Sequence, residues 1–260
     1  MPALQKTGTV TILLLLIAAF VGFLYGSTGV GGIILIPAIT LLAGIDTHTA
    51  MATALASFMI TSPQVTWLFY RRGALELPVL WPMVAGGLPM GYVGALTKSL
   101  LHAPVLNAIL ATLVMLAAVN IFRPAKAGGF SIATGSAGVR TVFLVVLGGV
   151  VAFVAGLTGV GGPIISIPVM IFFGFMPLCA IAAGQAFVIA AALTGTIGNL
   201  LYGHIDWFWL VVITVGQLAG TTMGVRLACS LPTDLLRKVV AVTCIAMSVL
   251  LFMQSFGWMG

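Results

Sequence analysis

Residues 26–32 read Gly-Ser-Thr-Gly-Val-Gly-Gly, and residues 156–162 read Gly-Leu-Thr-Gly-Val-Gly-Gly. Both lie inside runs of Leu, Val, Ile and Ala that otherwise favour continuous helix. A glycine in a helix interior costs about 0.5–1 kcal/mol relative to alanine, and it opens positive φ angles. Three within four residues stop a helix. This chain therefore has to place two helix stops in apolar surroundings.

Those surroundings are lipid. Hydrophobic residues make up 61% of the 260 residues and charged residues 5%, too little charge to cover a soluble domain of this size. A membrane-spanning helix needs about 20 apolar residues at about 1.5 Å each. Stretches of roughly that length or shorter fall at 9–25, 30–43, 48–70, 78–97, 104–122, 140–156, 160–174, 178–201, 207–226 and 235–255. The expected fold is an all-α integral membrane protein. The second and seventh stretches are short for a crossing, so they either dip in and return or cross as broken helices. The first stretch resembles a signal peptide in having Lys6 ahead of an apolar run, but its equivalent recurs at 140–156, so it is read as a membrane helix.

The two glycine motifs are 130 residues apart, and at that offset six of seven positions match. The same offset pairs Gly44 with Gly174, Ala56 with Ala186, Gly73 with Gly203, Glu76 with Asp206, Gly86 with Gly216 and Gly94 with Gly224, while Pro37 and Pro168 differ by one. The chain reads as a duplicated unit of about five hydrophobic segments: a first membrane repeat at 1–122, a linker at 123–139 and a second repeat at 140–260. If all five segments of a unit cross, the second copy is inverted relative to the first. Arg71, Arg72, Arg123, Lys126, Arg140, Arg226, Arg237 and Lys238 then share one side, and Lys6 and Lys98 face the other. The positive-inside rule makes the shared side cytoplasmic and both termini external, in a multi-pass protein of the cell inner membrane. The net charge of +6 is this topology signal; no basic soluble face for nucleic acid is present.

Each glycine stop exposes backbone N–H groups, and the apolar run after it can restart as a helix whose N-terminus points back at the turn. Such an end carries about half a positive charge together with unpaired donors, and it favours an anion without a lysine or arginine in the membrane. Pro163 fits the first position of the restarted helix, where a missing N–H is harmless. The candidate binding residues are Thr28, Gly29, Val30, Gly31 and Gly32 in one copy and Thr158, Gly159, Val160, Gly161 and Gly162 in the other. Thr53 and Ser57, four apart on one helix face, and Gln185, near the position of Thr53 in the other copy, are candidates to point at the same space. Close helix packing is the competing use of such glycines.

All four acidic residues, Asp46, Glu76, Asp206 and Asp234, lie in loops or at segment ends, which disfavours a proton or metal-cation pathway. Glu76 and Asp206 are placed to cap the segments that follow them. His48, His102 and His204 sit at segment ends, as do the five tryptophans, where an aromatic belt belongs. Cys179, Cys229 and Cys244 have no metal-like spacing and read as packing residues. No nucleophile–base pair, phosphate loop or metal cluster is visible, so neither an enzyme nor a cofactor is expected. The expected partners are a small anionic substrate and the bilayer, with a homo-oligomer possible in such a protein.

The doubled Gly-x-Gly-Gly…Pro motif, Ala52-Thr53-Ala54 after the first copy, and the loop Tyr70-Arg71-Arg72-Gly73 resemble the TauE/SafE permeases over nearly the whole chain. Ile33 and Pro163 stand where many members have a further glycine, and Leu55 and Ala183-Gly184-Gln185 depart from their Thr-Ser. The resemblance implies transport of sulfite or a sulfonate such as sulfoacetate. With no carboxylate to couple a cation, export by alternating access is favoured. An anion or small-solute channel and a Na⁺- or H⁺-coupled sulfonate importer are the alternatives, and a membrane scaffold would reduce the glycines to packing.

Overall fold

A computed structural model describes residues 2–29, 31–97, 112, 115, 132, 133, 135–158, 162–202 and 204–255. Val30, Gly159, Val160 and Gly161 lie outside them, as does nearly all of the segment expected at 104–122 and much of the linker at 123–139. Among the described residues the secondary structure is helical: α1 Pro2–Thr28, α2 Gly32–Ala43, α3 Thr47–Arg71, α4 Leu77–Thr97, α5 Ala137–Thr158, α6 Pro163–Phe172, α7 Pro177–Tyr202, α8 Trp207–Ser230 and α9 Thr233–Ser255. Each covers one expected segment. α5 begins inside the stretch read as linker, where the Ser136 carbonyl accepts the Arg140 N–H at 3.1 Å. Stretches in α1, α5 and α8 are individually long and apolar enough to cross a membrane. α3 is as long but carries Thr53, Ser57, Thr61, Ser62 and Gln64, of which all but Gln64 are fully buried.

Small residues decide which helices pair. Gly216, Gly220 and Gly224 of α8 recur every fourth residue, and their missing side chains let α8 lie directly on the α1 backbone at Leu15, Ala19 and Phe23. The partner numbers rise together along both helices, so α1 and α8 run parallel. Gly86 and Gly91 of α4 meet Val145 and Ala152 of α5, again in ascending order, and Gly148 of α5 meets Met83 at the same interface. The two interfaces are counterparts at the 130-residue offset: Gly86 on Val145 matches Gly216 on Leu15, and Gly87 on Ala152 matches Gln217 on Gly22. α8 thus packs on α1 as α4 packs on α5.

α3 also runs parallel to α8. Near its start the Thr53 hydroxyl accepts the Asp206 N–H at 3.1 Å, and near its end Gln64 Nε2 donates to the Leu218 carbonyl at 3.2 Å and to Thr222 Oγ1 at 2.8 Å. Arg71 and Arg72 at the end of α3 therefore share a side with Arg226 near the end of α8, and with Arg237 and Lys238 at the start of α9. Arg71 lays its guanidinium 4.8 Å from the Trp67 ring centroid, a pairing suited to a membrane boundary. Trp67, Trp81 and Trp207 are exposed as a belt requires, but Trp209 turns inward and is buried.

α2 and α6 are half-length elements. At 12 and 10 residues they extend about 18 and 15 Å, roughly half a hydrocarbon core of about 30 Å. α6 starts with Gly162 beside Val151 and ends with Phe173 against Phe143, ring centroids 4.7 Å apart, so it folds back along α5 toward the side where α5 began. α2 starts with Gly31 against Val21 and Tyr25, and a three-residue loop, 44–46, then leads into α3, whose start meets the start of α8. It too returns to the side of its predecessor's start.

Asp206 caps α8 as expected, its Oδ1 accepting the Trp209 N–H at 3.1 Å, and Asp46 caps α3 through Thr49 N–H at 2.9 Å. The Glu76 carbonyl accepts from Val79 and Leu80 at the start of α4. Asp206→Ala should cost about 1 kcal/mol of stability. A drop of a few degrees in the midpoint of detergent-solubilised thermal unfolding, with the fold retained, is the expected reading.

Candidate functional site

Four helix N-termini contrast in pairs. α3 and α8 begin at loops and carry aspartate caps. α2 and α6 begin at the glycine motifs, at Gly31 and Gly162, and neither receives a side-chain cap. The first N–H groups of a helix have no partner inside it; Ile34 and Ile165 already donate to the Gly31 and Gly162 carbonyls at 3.2 Å, which leaves the earlier N–H groups and the positive partial charge of each end for something else. Pro163 at the first position of α6 removes one donor and leaves that of Ile164.

The two motif ends meet. Gly29 and Gly31 of the first copy and Pro163 and Ile164 of the second line one crevice, closed by Tyr25, Phe58 and Val188. Gly29 has φ +79, the left-handed region that other residues rarely occupy, and it packs directly on the tip of Ile167, with Pro163 next to it. The crevice has room for about one water molecule. Among the described residues no charged side chain lines it, and the surface facing it is apolar in this form. In depth it is central: Gly22 lies on Gln217 midway along α8, and Gly26, one turn later, on Thr221.

The remaining sequence candidates divide. Thr28 is fully buried and donates to the Leu24 carbonyl at 2.8 Å. Ser57 is buried and donates to the Ala54 carbonyl at 2.7 Å. Gly32 opens α2 and Gly162 caps α6. Thr158 ends α5, and its side chain lies outside those described. Thr53 and Gln185 do not share a partner: Thr53 binds the loop amide of Asp206, whereas Gln185 Nε2 donates to the Tyr25 carbonyl. The true counterpart of Gln185 at the repeat offset is Leu55, two residues from Thr53 and about 200° round the helix.

Tyr25 is the residue that sequence reasoning missed. Its ring lines the crevice and lies 4.8 Å from that of Phe58, its hydroxyl pairs with Ser62 Oγ at 2.9 Å, and its carbonyl accepts both Gly29 N–H, at 2.9 Å, and the Gln185 amide. A signal existed in the duplication itself. At the 130-residue offset Tyr25, Ser57, Ser62 and Gln217 correspond to Ala155, Phe187, Ala192 and Gly87, so at these positions one member of each pair is polar and the other is not. Among the apolar members, the Phe187 ring packs against Gly87 and Gly162.

The family model described as Sulfite exporter TauE/SafE matches residues 14–251. Probable membrane transporter protein YdhB of Bacillus subtilis (strain 168) is 28% identical over 250 residues, 93% of this chain and 100% of that protein. Probable membrane transporter protein YfcA of Escherichia coli (strain K12) is 29% identical over 259 residues, covering 95% and 93%. Probable membrane transporter protein ORF9 of Sinorhizobium sp is 28% identical over 238 residues, 90% of each chain. No solved structure matches the chain.

Proposed function

The chain belongs to the TauE/SafE sulfite exporter family and is a membrane transporter, and from that premise we propose that it carries a small sulfur oxyanion, sulfite or a sulfonate such as sulfoacetate, out of the cell. The observation that carries this reading is the meeting of two side-chain-uncapped helix N-termini, one from each copy of the repeat, around one central crevice. Each end supplies about half a positive charge and its first N–H donors, in α6 that of Ile164, and none of the described residues lining the crevice is cationic to hold the anion too tightly.

Alternating access is supported by the directions of the helices. The 72–76 and 203–206 loops are short, so α4 runs opposite to α3, and α7 opposite to α8. α1, α3 and α8 are mutually aligned, and α4 and α5 are aligned with each other. The counterparts α1 and α5 then point in opposite directions, as do α3 and α7, which supports reading 1–122 and 140–260 as inverted repeats. α2 and α6 dip in from opposite sides and present their N-termini to one space. The crevice is too small for a sulfur oxyanion, so binding requires the two helix ends to part, as rocking one repeat against the other would do. The shared side of Arg71, Arg72, Arg226, Arg237 and Lys238 is assigned to the cytoplasm, in an inner membrane with both termini outside.

Voltage supplies the direction. An inside-negative potential of 100 mV is worth about 2.3 kcal/mol per charge, about 50-fold in the outward equilibrium distribution of a monovalent anion. In proteoliposomes loaded with radiolabelled sulfite, and with voltage set by a potassium gradient, efflux should saturate and should rise as the interior becomes more negative. Saturable flux indifferent to voltage contradicts uniport. Flux without saturation assigns a channel, and uptake that requires sodium assigns a coupled importer.

A further inference from the structure

Gln185 is fully buried on α7, one turn before Val188, which lines the crevice. Its orientation is fixed by chemistry: the Tyr25 carbonyl can only accept, so the atom facing it is the amide nitrogen. The amide oxygen, on the same carbon, has no hydrogen-bond partner among the described residues; Gln185 stands behind the crevice wall formed by Tyr25 and Val188, so a ligand reaches it as the crevice opens. Ser166, on the first turns of α6 and facing Gly184, is also fully buried with a hydroxyl that lacks a partner there. A buried acceptor without a donor costs about 1–3 kcal/mol, and it is the complement of a ligand that brings a donor.

We propose that Gln185 is a specificity residue, and that the preferred substrate is a monovalent oxyanion carrying an O–H or N–H on its central atom, as hydrogensulfite does, rather than a fully ionised or donor-free anion. This rests on the anion-transport reading above and refines it. Two lines meet here. The paired helix ends together offer about one positive charge, which matches a monoanion better than a dianion. The Gln185 oxygen repels a lone pair and accepts a proton donor, so a protonated oxyanion satisfies it while the remaining oxygens take the N–H groups of α2 and α6 and the Ser166 hydroxyl.

Sulfamate and methanesulfonate separate this idea from charge and shape, because both are tetrahedral monoanions of similar size and only sulfamate has N–H donors on its central atom. Titration calorimetry on the purified full chain should give sulfamate an affinity about tenfold above that of methanesulfonate. In Gln185→Met the preference should shrink to within about twofold while binding persists. Equal affinities in the unaltered protein, or tighter methanesulfonate, overturn the assignment of Gln185 and leave anion transport standing. Binding of neither anion, with sulfite also silent, removes the transport reading itself. The comparison within the unaltered protein decides the matter even where the variant fails to fold.

Discussion

Gly220→Leu is expected to abolish the recovery of folded protein. A side chain at this position of α8 would run into the Ala19 carbonyl, with Phe23 N at 2.7 Å and the Ala19 carbonyl carbon at 2.8 Å. These are backbone atoms of α1 and cannot rotate aside as a flexible side chain can. Overpacking that neighbours can absorb costs about 1–3 kcal/mol. Here two helices must separate along their shared length, so the cost should exceed about 3 kcal/mol, a large fraction of a typical stability of about 5–15 kcal/mol. The counterpart interface predicts the same for Gly148→Leu, whose added atoms would meet the Met83 backbone. Gly138→Ala, where nothing lies within 4 Å, is the control. Size-exclusion chromatography in mild detergent should show the monodisperse peak lost for the first two and kept for the third. A normal peak for Gly220→Leu would mean that α1 and α8 do not pack as described.

Gly29→Ala is expected to leave a folded protein that has lost anion binding. At φ +79 an L side chain costs about 1–2 kcal/mol in any surroundings, and here its Cβ also meets the tip of Ile167 and, at 3.3 Å, Pro163 Cβ. The Ile167 methyl can rotate aside, but the strained φ is relieved only by moving the turn, and the turn carries the donors at the start of α2 away from those of α6. The expected loss is more than about tenfold in affinity. Gly29→Ala with Ile167→Val removes the steric contact but not the strained φ, so affinity should return only in part. Gly44→Ala is the matched comparison, because Gly44 also has positive φ (+68) but ends α2 with nothing within 4 Å. It should lose a similar amount of stability and keep its binding.

The contrast between these glycines shows what a sequence of this kind discloses. Run lengths located the described helices, and the doubled motif located both breaks, because helix length and glycine content act locally and need no partner. The half-length of α2 and α6 was visible as stretches too short to cross, although the side to which they return came only from Phe173 meeting Phe143 and from the short loop before α3. The use of Gly86 and Gly216 as packing surfaces, and of Gly29 as a turn, was not separable in advance: both uses need a residue without a side chain, and the difference lies in what faces it. Side-chain direction was the least legible feature. Thr53 and Gln185 fall near each other in register, yet the helix carries one to the Asp206 amide and the other to the Tyr25 carbonyl. Tyr25 escaped notice because a tyrosine near the motif is as consistent with an interfacial belt as with an interior, and only its pairing with Ser62 and Gln185 places it inside.

The central claim is that one anion sits between the two helix ends. Selenite, the heavier analogue of sulfite, marks that position by its anomalous scattering in crystals of the intact protein. A single peak is expected between Gly31 and Gly162, within hydrogen-bond reach of backbone N–H groups of both α2 and α6. A peak elsewhere in the bundle, or none at concentrations that saturate transport, contradicts it.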